Sequence, residues 1–269
     1  MASAGRLIFT SPESALTTSV EPVSKLTPSD LNGLVSVLIF SVAGLPPFGG
    51  FFGKMPVLDS LATLACDPRR SDYFTGELIN ALKIIDEGSI TAARMQGSWA
   101  GAMGHTQFMP SVFLRYAIDY DGDGKRDLWG SLPDALASAA NFLRGIGWRK
   151  EERWGREVKL SDNFAFENAG LSKTLSLAEW HKLGIRQSNG QALPNVDMQA
   201  SLLVPSGHQG PAFLVYENFH VIMRWNRAEA YALAVGHLAD RINGSGNLSR
   251  TPVQSPRLSR DQVIHLQQA

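Results

Sequence analysis

The sequence predicts a mainly α-helical domain carrying a small β-rich insertion. Apolar residues recur at helical spacing through 57–65 and 73–85, and again through 135–143 and 228–238. Between 154 and 216 the character changes to short, partly alternating apolar runs separated by Gly, Pro and Asn, the pattern of strands and turns. A chain of 269 residues buries a substantial core, as one ordinary domain or as one domain with a small second lobe.

Composition narrows the function. Twenty-five basic residues balance twenty-five acidic ones, which argues against a protein that binds nucleic acid by neutralising phosphates. A carbohydrate ligand remains open, since sugar recognition rests on stacking and hydrogen bonds. The single cysteine, Cys66, has no disulfide partner in the chain and lies in an apolar run, so it reads as a buried thiol. Residues 1–30 lack a basic start leading into a continuous apolar segment, so no signal peptide is visible.

Taken in order, residues 1–30 are rich in Ser, Thr, Pro and Ala and read as disordered. Gly33 to Gly53 carries no charge and reaches membrane-spanning length, but Pro46 and Pro47 interrupt it, which fits a buried helix of about a dozen residues better. From Pro56, Leu58, Leu61, Ala62 and Ala65 mark one helix, and Tyr73 to Ile85 a second. Glu77 on that second helix reads as a solvated group, or one paired with Arg69 or Arg70.

The stretch Gln96 to Ser111 crowds Gly97, Ser98, Ala100, Gly101, Ala102 and Gly104 around Trp99, Met103, Gln107, Phe108 and Met109. Small residues let the backbone approach a ligand or another backbone closely. Either a built site or a tight helix–helix contact satisfies that pattern. Pro110 suits the first turn of a helix running to Ile118. Next, Asp119, Asp121, Asp123 and Gly124 match the opening of an EF-hand loop, with the Lys125 carbonyl as a further ligand. Three converging carboxylates repel unless a hard cation sits among them, and oxygen-only donors favour calcium. Position twelve is Gly130 where a bidentate Glu is wanted, and Asp134 is placed to close a longer loop. The alternative is a solvated acidic turn.

After the helix 135–143, the runs 154–160, 200–204 and 211–216 read as strands, and 177–183 as a short helix among them. His181 and His208 are isolated and have no partner at metal-ligand spacing. Asn218 to Asn226 reads as a strand-like run, and a helix from Ala228 turns Tyr231, Ala232, Val235 and Leu238 inward. After Ile242 the chain is rich in Gly, Ser and Pro, a linker.

The motif Gly-Ser-Trp-Ala-Gly-Ala-Met-Gly-x-x-Gln-Phe-Met-Pro-Ser, followed by Asp-x-Asp-Gly-Asp-Gly, resembles the membrane-bound lytic murein transglycosylase B family over about residues 49–242. The resemblance implies a lysozyme-like transglycosylase domain at 55–243 and a lyase that cleaves peptidoglycan between N-acetylmuramic acid and N-acetylglucosamine, leaving a 1,6-anhydro end. It implies glycan strands as partner, a chain acting as a monomer, a periplasmic or outer-membrane location, no catalytic cofactor and a structural calcium on Asp119, Asp121, Asp123, Lys125 and Asp134. It places Ser98, the backbone near Met103, Gln107, Phe108, Trp225, Asn226 and Tyr231 in the cleft, with Asn141 and Phe142 within reach. For Gln107 the alternative is an amide that satisfies buried backbone, and for Trp225, Asn226 and Tyr231 it is core packing. The family's catalytic glutamate falls on Leu45, and 31–54 holds no Asp or Glu. Glu77 is the nearest substitute acid. An inactive, glycan-gripping homologue is therefore the alternative function. Two further stretches resemble other families. Ser29 to Lys54 is similar to the antiporter-like subunit N of respiratory complex I, and 258–267 to the first helix of a peptidoglycan-binding domain.

Overall fold

The computed structural model describes residues 55–252, together with 259, 260, 262 and 264. The expectations for 1–30, for 31–54 and for most of 258–267 lie outside the described residues. The described residues open on a two-residue strand β1 (Met55–Pro56) and the helices α1 (Val57–Ala65) and α2 (Ser71–Asp86), which pack on each other. Strand β2 (Gln96–Gly97) pairs antiparallel with β1, Met55 opposite Gly97. Helices α3 (Pro110–Tyr116) and α4 (Leu132–Gly145) complete the first body.

α2 buries Phe74, Glu77, Ala81 and Ile84, one face at helical spacing. Phe74, Ala81 and Ile84 join Val57, Leu61, Met95, Met103, Phe108, Phe113 and Leu128 in one core. On α1 the inward face is Val57, Ser60 and Leu61, and Ala62 is exposed. Leu58 and Ala65 pack partly buried against that core, so of the expected stripe of Leu58, Leu61, Ala62 and Ala65 only Ala62 turns outward. Val57 N–H donates to Met95 O at 3.0 Å at the start of the helix. Cys66, expected to be buried, is exposed, because it caps the end of α1 beyond the inward face.

The β-rich insertion is a five-stranded antiparallel sheet in the order β4-β6-β7-β3-β5. Its strands are β3 (Gly155–Lys159), β4 (Gly170–Ser176), β5 (Arg186–Gln187), β6 (Gln199–Leu203) and β7 (Ala212–Val215). Helix α5 (Leu177–Lys182) closes one face, started by a capping box in which Ser176 accepts from Glu179 N–H and Glu179 accepts from Ser176 N–H. Trp180 on α5 is fully buried, and its indole N–H donates to Ala200 O at 2.8 Å. Strand β4 was not anticipated, since Gly170 to Ser176 has neither strict alternation nor a buried run.

The run expected as a strand before Asn226 is a helix, α6 (Glu217–Trp225). Phe219 and Ile222 lie one turn apart on its inner side with Asn218 and Val221, and this short stretch also alternates well enough to mimic a strand. Asn218 decides the matter. Fully buried, it accepts from Arg149 N–H at 2.9 Å and donates to Arg149 O and Glu152 O, both at 2.8 Å. The start of α6 is thereby tied to the end of the preceding loop. Helix α7 (Glu229–Ile242) follows and buries Tyr231, Ala232, Val235 and Gly236. Trp154 lies flat against Gly236, where an added Cβ would meet its ring at 2.2 Å. The same indole donates to Asp240 at 3.0 Å, which fastens the insertion to α7.

Candidate functional site

The site is built on the loop between β2 and α3. Ser98 begins a tight turn: Gly101 N–H donates to Ser98 O at 2.9 Å, and Ser98 N–H donates to Ala102 O at 2.8 Å. The Ser98 hydroxyl oxygen accepts from Ala100 N–H at 3.3 Å and from Ala102 N–H at 3.1 Å. Gly97 has no room for a side chain, since a Cβ there would meet Ala102 O at 2.1 Å. Met103 then exchanges both backbone hydrogen bonds with Phe108, at 2.7 and 3.1 Å. Its backbone is used within the loop, and its side chain is fully buried.

Between those two paired residues the loop bulges outward. Gln107 sits at φ 53, in the left-handed region that a side chain rarely adopts. Its amide N–H donates to Gly104 O at 2.9 Å. Its amide oxygen is buried without a hydrogen-bond partner, as is the hydroxyl of neighbouring Thr106. A buried acceptor of this kind carries a desolvation cost of about 1–3 kcal/mol. Strain and an orphaned acceptor together are the marks of a residue held for a ligand.

Beside Gln107 stands an aromatic wall. The ring of Phe108 lies 5.3 Å from Phe142 and 5.5 Å from Trp225, and Phe142 lies 5.0 Å from Trp225 and 5.1 Å from Tyr116. Trp225 at the end of α6 is half-buried, and Asn226 caps that helix, its side-chain oxygen accepting from Ala228 N–H at 3.1 Å. Phe108, Phe142 and Trp225 therefore converge, with Asn226 next to Trp225 in the chain. Asn141, half-buried, donates to Tyr116 O at 2.9 Å. Tyr231 packs among Trp154, Phe213 and Phe219 at 5% exposure, and burial pushes its hydroxyl well above the usual tyrosine range.

Glu77 is not solvated and does not pair with Arg69 or Arg70. Arg69 pairs with Asp67 at 2.6 Å, and Arg70 lies over the Tyr73 ring at 4.6 Å. Glu77 is 4% exposed, and its carboxyl oxygens accept from Ser111 N–H at 2.8 Å and from the Ser111 hydroxyl at 2.6 Å. It caps α3 from a neighbouring helix, a long-range partnership that no local spacing announces.

The acidic loop brings carboxylate oxygens of Asp119, Asp121 and Asp134 within 4.8 Å of one another. Asp134 is fully buried and accepts from Tyr120, Asp121 and Asp127 N–H at 2.8, 3.3 and 2.9 Å. Asp123 is turned elsewhere, accepting from Lys125 N–H at 2.8 Å. Three hard oxygen donors at that spacing fit a divalent cation.

The sequence profile of the transglycosylase SLT domain matches residues 46–240. The chain belongs to that family. The domain is 35% identical over 217 residues to the membrane-bound lytic murein transglycosylase B of Escherichia coli (strain K12) and covers 57% of that relative and 78% of its own length. Among solved structures, SltB3 from Pseudomonas aeruginosa in complex with NAG-NAM-pentapeptide superimposes with a TM-score of 0.78 at 45% identity, covering 88% of this chain and 63% of that one. The Escherichia coli lytic transglycosylase SLT35 in complex with calcium gives a TM-score of 0.62 at 32% identity, covering 82% of this chain and 76% of that one. The SLT-domain chain thus has the lysozyme-like, mainly α fold with a small sheet. Its profile match begins at Pro46, one residue beyond Leu45. Among the described residues no helix is long and apolar enough to cross a membrane.

Proposed function

We propose that this chain is a lytic transglycosylase-type protein of the cell envelope that grips a peptidoglycan glycan strand and cleaves the bond between N-acetylmuramic acid and N-acetylglucosamine, leaving a 1,6-anhydro end. The observation that carries this reading is the orphaned Gln107 acceptor beside the wall of Phe108, Phe142 and Trp225. An acetamido N–H or a sugar hydroxyl supplies the donor that the Gln107 oxygen lacks, and a pyranose face stacks on the exposed part of the wall. Asn226 stands at the edge of that wall to fix register, and the Ser98 turn forms the floor. Support comes from the relatives, a lytic murein transglycosylase and SltB3 in complex with NAG-NAM-pentapeptide.

Cleavage without water makes a defined demand. As the C1–O bond breaks, a carboxyl must give its proton to the departing glycosidic oxygen. As the 6-hydroxyl oxygen closes onto C1, the same group takes up that hydroxyl's proton. An apolar wall that excludes water favours the internal 6-hydroxyl over hydrolysis.

A second reading, a glycan-gripping protein with little or no cleavage, is favoured by one observation. The family's acid position falls on Leu45, which can neither give nor take a proton, and Glu77 spends both oxygens on Ser111. Loss of a positioned acid/base lowers rate by roughly 10²–10⁴. The test is incubation with purified sacculi, followed by mass spectrometry of the soluble fraction. Products with 1,6-anhydro ends establish cleavage. Co-sedimentation without release establishes the gripping protein, and neither result removes both readings.

The same proposal gives Asp119, Asp121 and Asp134 a structural calcium, supported by their convergence and by the calcium complex of SLT35. Its chemistry would be to neutralise the carboxylates and fix the loop between α3 and α4.

A further inference from the structure

Trp99 is 52% exposed on the loop that carries Gln107. It occupies the first central position of the Ser98–Gly101 turn, a place that favours Pro or small polar residues and has no local use for an indole. The turn is fixed from below. Ser98 accepts from two N–H groups, and Gly101, at φ 85, lies so close to Leu61 that a Cβ would meet its side chain at 2.3 Å. The Met103–Phe108 pairing joins this turn rigidly to the aromatic wall.

We infer that Trp99 is a second stacking platform, taking the C–H face of a pyranose ring of the glycan strand outside the ring held at Gln107. The inference rests on the glycan reading above and adds to it a contact that sets how long a strand is gripped. An indole on a prefixed turn loses little conformational freedom on binding, so most of its contact energy appears as affinity.

The test uses the full chain with two probes: intact sacculi, and glycan strands stripped of stem peptides by amidase. Trp99→Ala is expected to weaken co-sedimentation with both probes about three- to tenfold, the range of one aromatic contact, while Trp99→Phe retains most of the affinity. The melting temperature of both variants should match the wild type, because the indole is exposed. Unchanged affinity in Trp99→Ala overturns the inference and leaves the glycan reading standing. A loss seen only with peptide-bearing sacculi assigns the indole to the stem peptide and overturns it too. If the wild type binds neither probe, the glycan reading itself fails and this contact fails with it.

Discussion

Gln107 carries two separable burdens, a left-handed backbone and an acceptor without a donor. Substitution distinguishes them. Gln107→Ala keeps the strain and loses the acceptor, whereas Gln107→Gly relieves the strain and loses the acceptor equally. We therefore expect the Gly variant to be more stable than the Ala variant by about 1 kcal/mol in urea melts, with both weakened about two- to tenfold for glycan strands. Equal stability would mean that the left-handed backbone is not strained. Asp240 offers a pH test. Burial raises its pKa in spite of Arg153 and the Trp154 N–H, so the folded state favours the protonated form. Its contribution is fully favourable below the unfolded carboxylate pKa, near 3.9, and is lost as pH rises through the raised folded value. Asp240→Asn should thus be at least as stable as wild type at pH 7, with any advantage shrinking as the pH falls toward 4. A variant less stable at pH 7 than at pH 4, relative to wild type, would refute this. Glu77→Ala removes both acceptors from the Ser111 N–H and hydroxyl and should cost about 1–3 kcal/mol of stability. Unaltered stability would show that Glu77 is free for another role.

At the scale of elements, the acidic loop joins α3 to α4 through Asp134, which receives three backbone N–H groups. Millimolar calcium should raise the melting temperature of the wild type above its value in chelator, and Asp134→Ala should abolish that difference. A calcium-independent melting temperature in the wild type would leave the loop a plain acidic turn. This loop was legible because its information is local: carboxylates at fixed spacing and a glycine at the sharp turn. The long helices were legible for the same reason. Glu77 was not, because its partner Ser111 is 34 residues away. Nor was α6, where the apolar residues of a nine-residue stretch satisfy both periods and the deciding contact, Asn218 with Arg149, spans 69 residues. In the site, the motif named Gln107 and Phe108, and the resemblance placed Trp225 and Phe142 near them; the ring contacts among Phe108, Phe142 and Trp225 come from the fold.

At the scale of the molecule, the helical core and the core of α6 and α7 meet along a seam. Leu45 lies outside the described residues, yet it makes the sharpest whole-chain prediction. If the wild type binds sacculi and releases nothing, Leu45→Glu should bring about release of products with 1,6-anhydro ends, read by mass spectrometry. Binding without any release in that variant would show that the missing acid is not the only defect. The seam itself runs through Trp225, whose ring packs at once against the helical core, the core of α6 and α7, and the small cluster of Ala139, Leu143 and Val221. A sugar pressed on that ring would brace both cores together. Amide exchange should then slow in β7, which contributes no residue to the wall, so the grip of the cleft would be audible in the protein's slowest breathing.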